Sequence, residues 1–318
     1  MTVNRILLHY RIVALPDPRA VALWQEALCE RLGLRGRIIV SPQGLNGTVG
    51  GEVGALKQYA RSTRRHPAFA DLEPKWSDGS AADFPRLSVK VRDELVGFGA
   101  PDEVEVDEHG VVDGGARLSP QELDAMAAAR DDLVLFDGRN AWEARIGRFR
   151  GAVVPQAETS RDIVTELGSG AYDHLRDRPV VTYCTGGIRC EFLSAMMRRR
   201  GFREVYQLDG GIVRYGEARG DAGLWEGSLA VFDDRGALEF SEAASVIGRC
   251  DVCAAPARRF INCARPRCHR RLLVCTAHRG AHDDGPGILC PQGCRDARTG
   301  APLAPVPSAA GHAGEEAR

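Results

Sequence analysis

In Tyr183-Cys184-Thr185-Gly186-Gly187-Ile188-Arg189-Cys190 a cysteine stands where an apolar run ends and a helical pattern begins. Backbone N–H groups of a glycine-containing loop turn inward, and the start of a helix adds positive potential; both favour the thiolate, the nucleophilic form of cysteine. Arg189 adds a permanent cation at the rim. Cys184 and Arg189 are therefore candidate catalytic residues, with Thr185, Gly186, Gly187 and Ile188 as the loop that holds a substrate. Cys190 has two readings, a thiol that reduces or resolves an oxidised Cys184, or a packing residue under the helix. Cys184 as a small buried residue before a turn is the plainer alternative. It is disfavoured because strand, glycines, arginine and helix all agree.

A second cluster lies downstream. Seven of the ten cysteines fall between Cys250 and Cys294, in the pairs Cys250-x2-Cys253, Cys263-x4-Cys268, Cys275-x2-His278 and Cys290-x3-Cys294. Soft ligand pairs at this spacing suit tetrahedral zinc, one ion or two, in a structural role. An alternating cross-brace would join the first pair to the third and the second to the fourth; spacing alone leaves that order open. His269 and His282 are lesser ligand candidates. The alternative is a reduced cysteine-rich tail. Between Arg249 and Arg279 stand eight arginines and one acid, Asp251. Arg258, Arg259, Arg265, Arg267, Arg270 and Arg271 are candidate RNA contacts, because ligand-held cations neutralise phosphates; a merely solvated face is the alternative.

The elements that must position these residues are legible. Pro179 to Tyr183 is β-branched and reads as a buried strand, with Arg189 to Arg200 a helix after it. Leu133 to Phe136 is another short strand, and Asp137 and Arg139 follow at its carboxyl end, where open α/β sheets place ligands. Ser119-Pro-Gln-Glu122 is a capping box that starts a helix. Strand–helix alternation from 119 onward predicts a parallel sheet with helices on both faces. Toward the N-terminus, a strand from Arg5 to Ala14, a helix to about Leu32, a hairpin around Ser41–Gly44, a helix from Val53 to Arg64 and an extended Leu72–Trp76 give the order β-α-β-β-α-β of a ferredoxin-like unit. Such a sheet has one open face, which nucleic-acid binders use. Lys90 and Arg92 lie on the more exposed face of a further strand. Cys29 sits within a helix and reads as packing.

The fold class is thus multidomain α/β: a ferredoxin-like domain over 1–99, a linker over 100–118, a parallel α/β domain over 119–222, a cysteine-rich extension over 223–295, and a disordered tail over 296–318. The chain has 318 residues and a formal net charge of −1, so overall charge selects no partner. No stretch is long and apolar enough for a membrane span, and the N-terminus lacks the regions of a signal peptide. The expectation is a cytoplasmic protein with reduced cysteines.

Two stretches resemble the rhodanese fold: Leu135-Phe-Asp-Gly-Arg-Asn-Ala-Trp-Glu143 through Gly147–Ala152, and the cysteine loop. Four residues separate Cys184 from Arg189, the loop length of rhodanese-type sulfurtransferases; the related phosphatases carry one more. Together with Ser41-Pro-Gln-Gly-Leu-Asn-Gly-Thr-Val-Gly-Gly51 and the cysteine-rich end, the motif Cys184–Glu191 resembles the oxygen-dependent tRNA uridine-34 hydroxylase family over roughly residues 3 to 295. The resemblance implies an acylphosphatase-like N-terminal domain, a central rhodanese domain and a C-terminal extension. It implies 5-hydroxylation of the wobble uridine with molecular oxygen as co-substrate, and the tRNA anticodon stem-loop as partner, with no membrane and no DNA. The glycine-arginine signature with which acylphosphatases hold phosphate is missing, so no acylphosphatase activity is expected. Gly147-Arg148 also replaces the Gly-His pair of many rhodaneses.

No flavin or nicotinamide fingerprint is present in the sequence, and no two-histidine, one-carboxylate iron motif. A thiolate suits uracil chemistry: sulfur added at C6 makes C5 enolate-like and ready for an oxygen electrophile, while loop N–H groups and Arg189 stabilise the developing charge. Two other readings compete. One is a sulfurtransferase carrying a Cys184 persulfide. The other is a non-catalytic RNA-binding scaffold, which would need neither Cys184 nor Arg189.

Overall fold

In the computed structural model the structure describes residues 3–302, apart from 269, 284, 286, 292, 297, 298 and 300. Two compact units meet between Ser245 and Val246. The first opens with β1 (Asn4–Ile12), α1 (Pro18–Arg31), β2 (Arg35–Ser41), β3 (Gly44–Glu52), α2 (Val53–Arg64), β4 (Lys75–Ser77) and β5 (Leu87–Val91). The sheet runs β4-β1-β3-β2-β5, antiparallel except for the parallel β2–β5 pair. This is the ferredoxin-like order expected from the sequence, with β5 added at one edge.

Strand alternation divides this sheet into two unlike faces. Leu7, Ile38, Val40, Leu45 and Val49 are buried together with Leu28, Cys29 and Leu56 of the helices. Cys29 is a packing residue, its thiol pushed up to about 12 by burial. The opposite face carries Leu8, Tyr10, Arg37, Ile39, Asn46, Thr48 and Lys90, and these line a cleft shared with the next domain. That face is therefore turned toward the cysteine loop.

The second domain contains β6 (Ala116–Leu118), α3 (Pro120–Ala129), β7 (Val134–Asp137), α4 (Ala141–Ala144), β8 (Gly147–Phe149), α5 (Ser160–Gly168), β9 (Pro179–Tyr183), α6 (Ile188–Arg199), β10 (Glu204–Leu208) and α7 (Gly211–Arg219). Its four-stranded sheet runs β6-β10-β9-β7, all parallel. Phe192, Leu193, Met196 and Met197 of α6 pack on one face; Leu123, Ile212 and Val213 of α3 and α7 pack on the other. Ser119 caps α3 reciprocally with Glu122, at 2.7 and 3.2 Å.

Around the expected boundaries the chain is ordered as follows. The 100–118 segment is no free linker: Ala116–Leu118 is a sheet strand, and Val104 is buried with Leu95 and Phe98 in the α6-side core. The chain divides into its two compact units at Val246, inside the expected 223–295 extension, so its cysteines fall in the second unit. The chain before it, β11 (Trp225–Gly227), β12 (Leu229–Ala230) and β13 (Ala237–Leu238), belongs to the first unit, with β11 paired to β8. The expected disordered tail starts too early, since Asp296 is buried and accepts from Thr299 N at 3.0 Å; residues 303–318 lie outside the described residues. The second unit holds the pair β14 (Arg259–Asn262) and β15 (Arg271–Val274), and α8 (Thr276–Asp283).

Candidate functional site

Buried β9 carries Cys184 to the carboxyl end of the parallel sheet, and α6 starts four residues later. Gly187 makes the turn with φ +102°, the left-handed region that glycine tolerates. Its N–H points at the Cys184 Sγ, 3.2 Å away. The loop is clamped from behind: Ile212 N donates to the Cys184 carbonyl at 2.9 Å and Val213 N to the Thr185 carbonyl at 3.1 Å. A Cβ on Gly211 would fall 2.4 Å from the Cys184 carbonyl oxygen, so only glycine fits that clamp.

Burial alone would push the Cys184 thiol up. The Cys190 thiol, the Arg189 guanidinium and the N–H groups of Cys190 and Gly187 outweigh it and hold the thiol at about 5. Cys190 is equally buried and is pushed the other way, by that burial and by the charge on Cys184. The pair thus holds one negative charge, on Cys184. Cys190 sits beneath the loop, with Thr182 as a further hydrogen-bond partner.

Arg189 is oriented by a residue to which the sequence reading gave no role. Its guanidinium grips Glu143 at 2.6 and 3.0 Å and also meets Thr185 Oγ1 at 3.1 Å. Glu143 is fully buried on α4; burial would raise its carboxyl, but Arg189 beside it holds it below the ordinary carboxylate range. Asp137 and Arg139 occupy a different place from the one expected. Both are fully buried and pair at 2.6 and 2.9 Å, with Tyr183 Oη donating to Asp137 at 2.9 Å and Arg139 to the Gly147 carbonyl at 2.7 Å. Neither lines the cleft. They brace the ends of β7 and β9.

Cys184, Thr185, Gly186, Ile188 and Arg189 line a cleft of about 860 Å³ whose opposite wall is the N-terminal sheet. That wall and its rim carry Arg37, Lys75, Arg86, Lys90 and Arg92 with Tyr10, Trp76 and Phe84. Cations interleaved with aromatic rings suit a phosphate-bearing chain with flat bases. Tyr10 Oη donates to Glu191 at 3.2 Å, and Glu191 also receives Arg117 at 2.7 Å and Gln207 at 2.9 Å. Sequence reading missed Tyr10, Lys75 and Glu191; a strand over Arg5 to Ala14 contains Tyr10 but does not say what its faces meet.

In the second unit the metal-ligand candidates form two groups, Cys250, Cys253, Cys275 and His278, and Cys263, Cys268, Cys290 and Cys294. This is the alternating pairing. Within each group the ligand atoms all lie within 4.8 Å of one another. His282 stands apart from both and meets the Asn262 carbonyl at 3.2 Å; His269 lies outside the described residues. Of the arginine candidates, Arg259, Arg267 and Arg270 are exposed and Arg258, Arg265 and Arg271 half-buried. Arg267 is engaged with Asp296 at 2.5 Å.

Three family profiles cover most of the chain: "UPF0176 acylphosphatase like domain" over residues 4–95, "Rhodanese-like domain" over 119–218 and "Rhodanase C-terminal" over 226–295. A protein of Pseudarthrobacter chlorophenolicus named tRNA uridine(34) hydroxylase is 58% identical, covering 92% of this chain and 99% of that one. Proteins of the same name from Arthrobacter sp. (strain FB24) and Corynebacterium urealyticum are 56% and 59% identical; they cover 92% and 86% of this chain, and 99% and 92% of their own lengths.

Proposed function

The chain belongs to the tRNA uridine(34) hydroxylase family, and from that premise we propose that it hydroxylates C5 of uridine 34 of tRNA, with Cys184 as the nucleophile and molecular oxygen as co-substrate. One observation carries the assignment to this site: a thiol held at about 5 lines a cleft walled by cations and aromatic rings. In the step this geometry favours, the S–C6 bond forms and the C5=C6 electron pair shifts toward C4–O4. C5 then bonds one oxygen atom of O2. Loss of the C5 proton and departure of the thiolate from C6 restore the ring double bond. The second oxygen leaves as water, taking two protons and two electrons from an external two-electron donor. Gly187 N–H and the Arg189–Glu143 pair hold the Cys184 thiolate in place before attack and receive it again on departure.

The test is genetic and chemical. Deletion of the gene removes 5-hydroxyuridine derivatives from digested tRNA, and wild type restores them while Cys184→Ala does not. Unchanged nucleosides in all strains refute the reading; loss of a thiolated nucleoside instead points to sulfur transfer. Retained RNA binding with unaltered tRNA leaves the scaffold.

The same reading includes two structural zinc ions in the second unit. A tetrahedral site with Zn–S near 2.3 Å sets sulfurs about 3.8 Å apart. The Cys263–Cys294 and Cys268–Cys290 sulfurs are each 3.6 Å apart, and Cys253–Cys275 3.9 Å. Cys250 and Cys275 Sγ lie 3.6 and 3.3 Å from His278 Nδ1, the closer spacing that one nitrogen ligand brings. Zinc would fix the β14–β15 pair and its arginines. Native mass spectrometry finding no metal overturns this; two ions, falling to one in Cys263→Ser, support it.

A further inference from the structure

The loop's own cation is already engaged, because Arg189 is bonded twice to Glu143 and once to Thr185. A second cation reaches the same loop from across the cleft. Lys75, the first residue of β4, donates to the Gly186 carbonyl, two residues beyond Cys184. Its ammonium lies 5.1 Å from the centroid of the Tyr10 ring, which gives it a further anchor. The acids that face it are taken elsewhere: Glu191 by Tyr10, Arg117 and Gln207, and Asp209 by Arg214. Burial works against the Lys75 charge, and Arg214 adds to that; Cys184 is foremost among the groups that favour it. An ammonium has three donor hydrogens, and Gly186 accepts one. The others are free for the cleft that Lys75 lines together with Cys184.

We propose that Lys75 is a further catalytic residue of the Cys184 site: its ammonium, anchored on Gly186 and Tyr10, offsets the thiolate charge and then contacts the uracil carbonyl oxygen to which that charge passes. The first half stands on the loop geometry; the second rests on the hydroxylase reading. A lysine from the N-terminal domain also makes the site composite, incomplete in the rhodanese domain alone.

Lys75→Gln separates charge from anchoring, since glutamine can still donate to Gly186. The substrate-free assay is the pH profile of iodoacetamide alkylation at Cys184 in the full chain. The second assay is 5-hydroxyuridine in tRNA from a deletion strain carrying each variant, with affinity for unmodified tRNA measured alongside. Glutamine moves the alkylation midpoint up by about one pH unit and lowers 5-hydroxyuridine at least tenfold beyond any loss of affinity for unmodified tRNA; Lys75→Arg restores the midpoint. A midpoint unmoved by glutamine, or hydroxylation within twofold of wild type, overturns the proposal. Should glutamine disturb the circular dichroism spectrum, Lys75→Met repeats the comparison with the stem volume kept. If wild type itself yields no 5-hydroxyuridine, the hydroxylase reading fails, and the alkylation profile alone decides the role of Lys75 as the second cation.

Discussion

Replacing Glu143 by glutamine should make Cys184 more acidic while making the protein less stable. Glu143 is a buried anion behind Arg189, and it neutralises the guanidinium that would otherwise serve the thiolate alone. Glutamine keeps the shape and an acceptor oxygen but removes the charge. Opposite charges at short range shift such groups by about 1 to 3 pH units. Arg189 is already close to Cys184 in the wild type, so the low end applies: the alkylation midpoint falls about one unit below its starting value near 5. A less basic thiolate is also a weaker nucleophile, with a Brønsted slope of about 0.4–0.5. The plateau alkylation rate above pH 7 therefore drops roughly two- to threefold. Stability falls by about 3 kcal/mol, the lower part of the range for breaking a buried pair from one side. Iodoacetamide kinetics across pH and urea unfolding at pH 8 read the two effects. A midpoint that stays or rises, with the plateau unchanged, would show that Arg189 does not set the thiol, and the account of the loop would be wrong.

The thiol also couples fold to pH. A folded value near 5 against an ordinary 9.0 means that the unfolded chain binds the extra proton between those values, so the stability due to Cys184 grows as pH rises from about 5 to 9 and is lost as it falls. Urea unfolding of wild type and Cys184→Ser should show a gap that widens over that window. Asp137→Asn leaves Arg139 buried without its carboxylate; unfolding free energy should drop by about 3–5 kcal/mol, seen as a lower urea midpoint. Arg37→Ala and Lys90→Ala, on the exposed sheet face of the cleft, should each weaken tRNA binding and lower the salt slope by about one; filter binding between 50 and 200 mM salt measures both.

What local sequence could express, it expressed. The β9–loop–α6 geometry follows from β-branching, two glycines and a helical run, so Cys184 and its donors were readable. The ferredoxin-like order was readable for the same reason, because turns and periodicity are local. Contacts across 111 and 181 positions were not: Lys75 meets Gly186, and Tyr10 meets Glu191, only once two domains close on one cleft. Asp137 and Arg139 misled because a strand's carboxyl end marks where ligands lie but not which way a side chain turns. There the two charges pair with each other beside Tyr183, away from the cleft. Glu143 was visible as a helical residue, but nothing in its neighbours announced a partner 46 positions away.

The alternation of the two cysteine groups has a consequence for how the second unit is made. The first group is complete once His278 has been synthesised, but by then Cys263 and Cys268 already lie inside its span, waiting for Cys290 and Cys294. Neither group can be excised without cutting the other. A chain ended shortly after position 280 would carry the first set of ligands whole and Cys263 and Cys268 without their partners. Closure of the second group therefore waits on residues 290–294, after every ligand of the first is already in the chain.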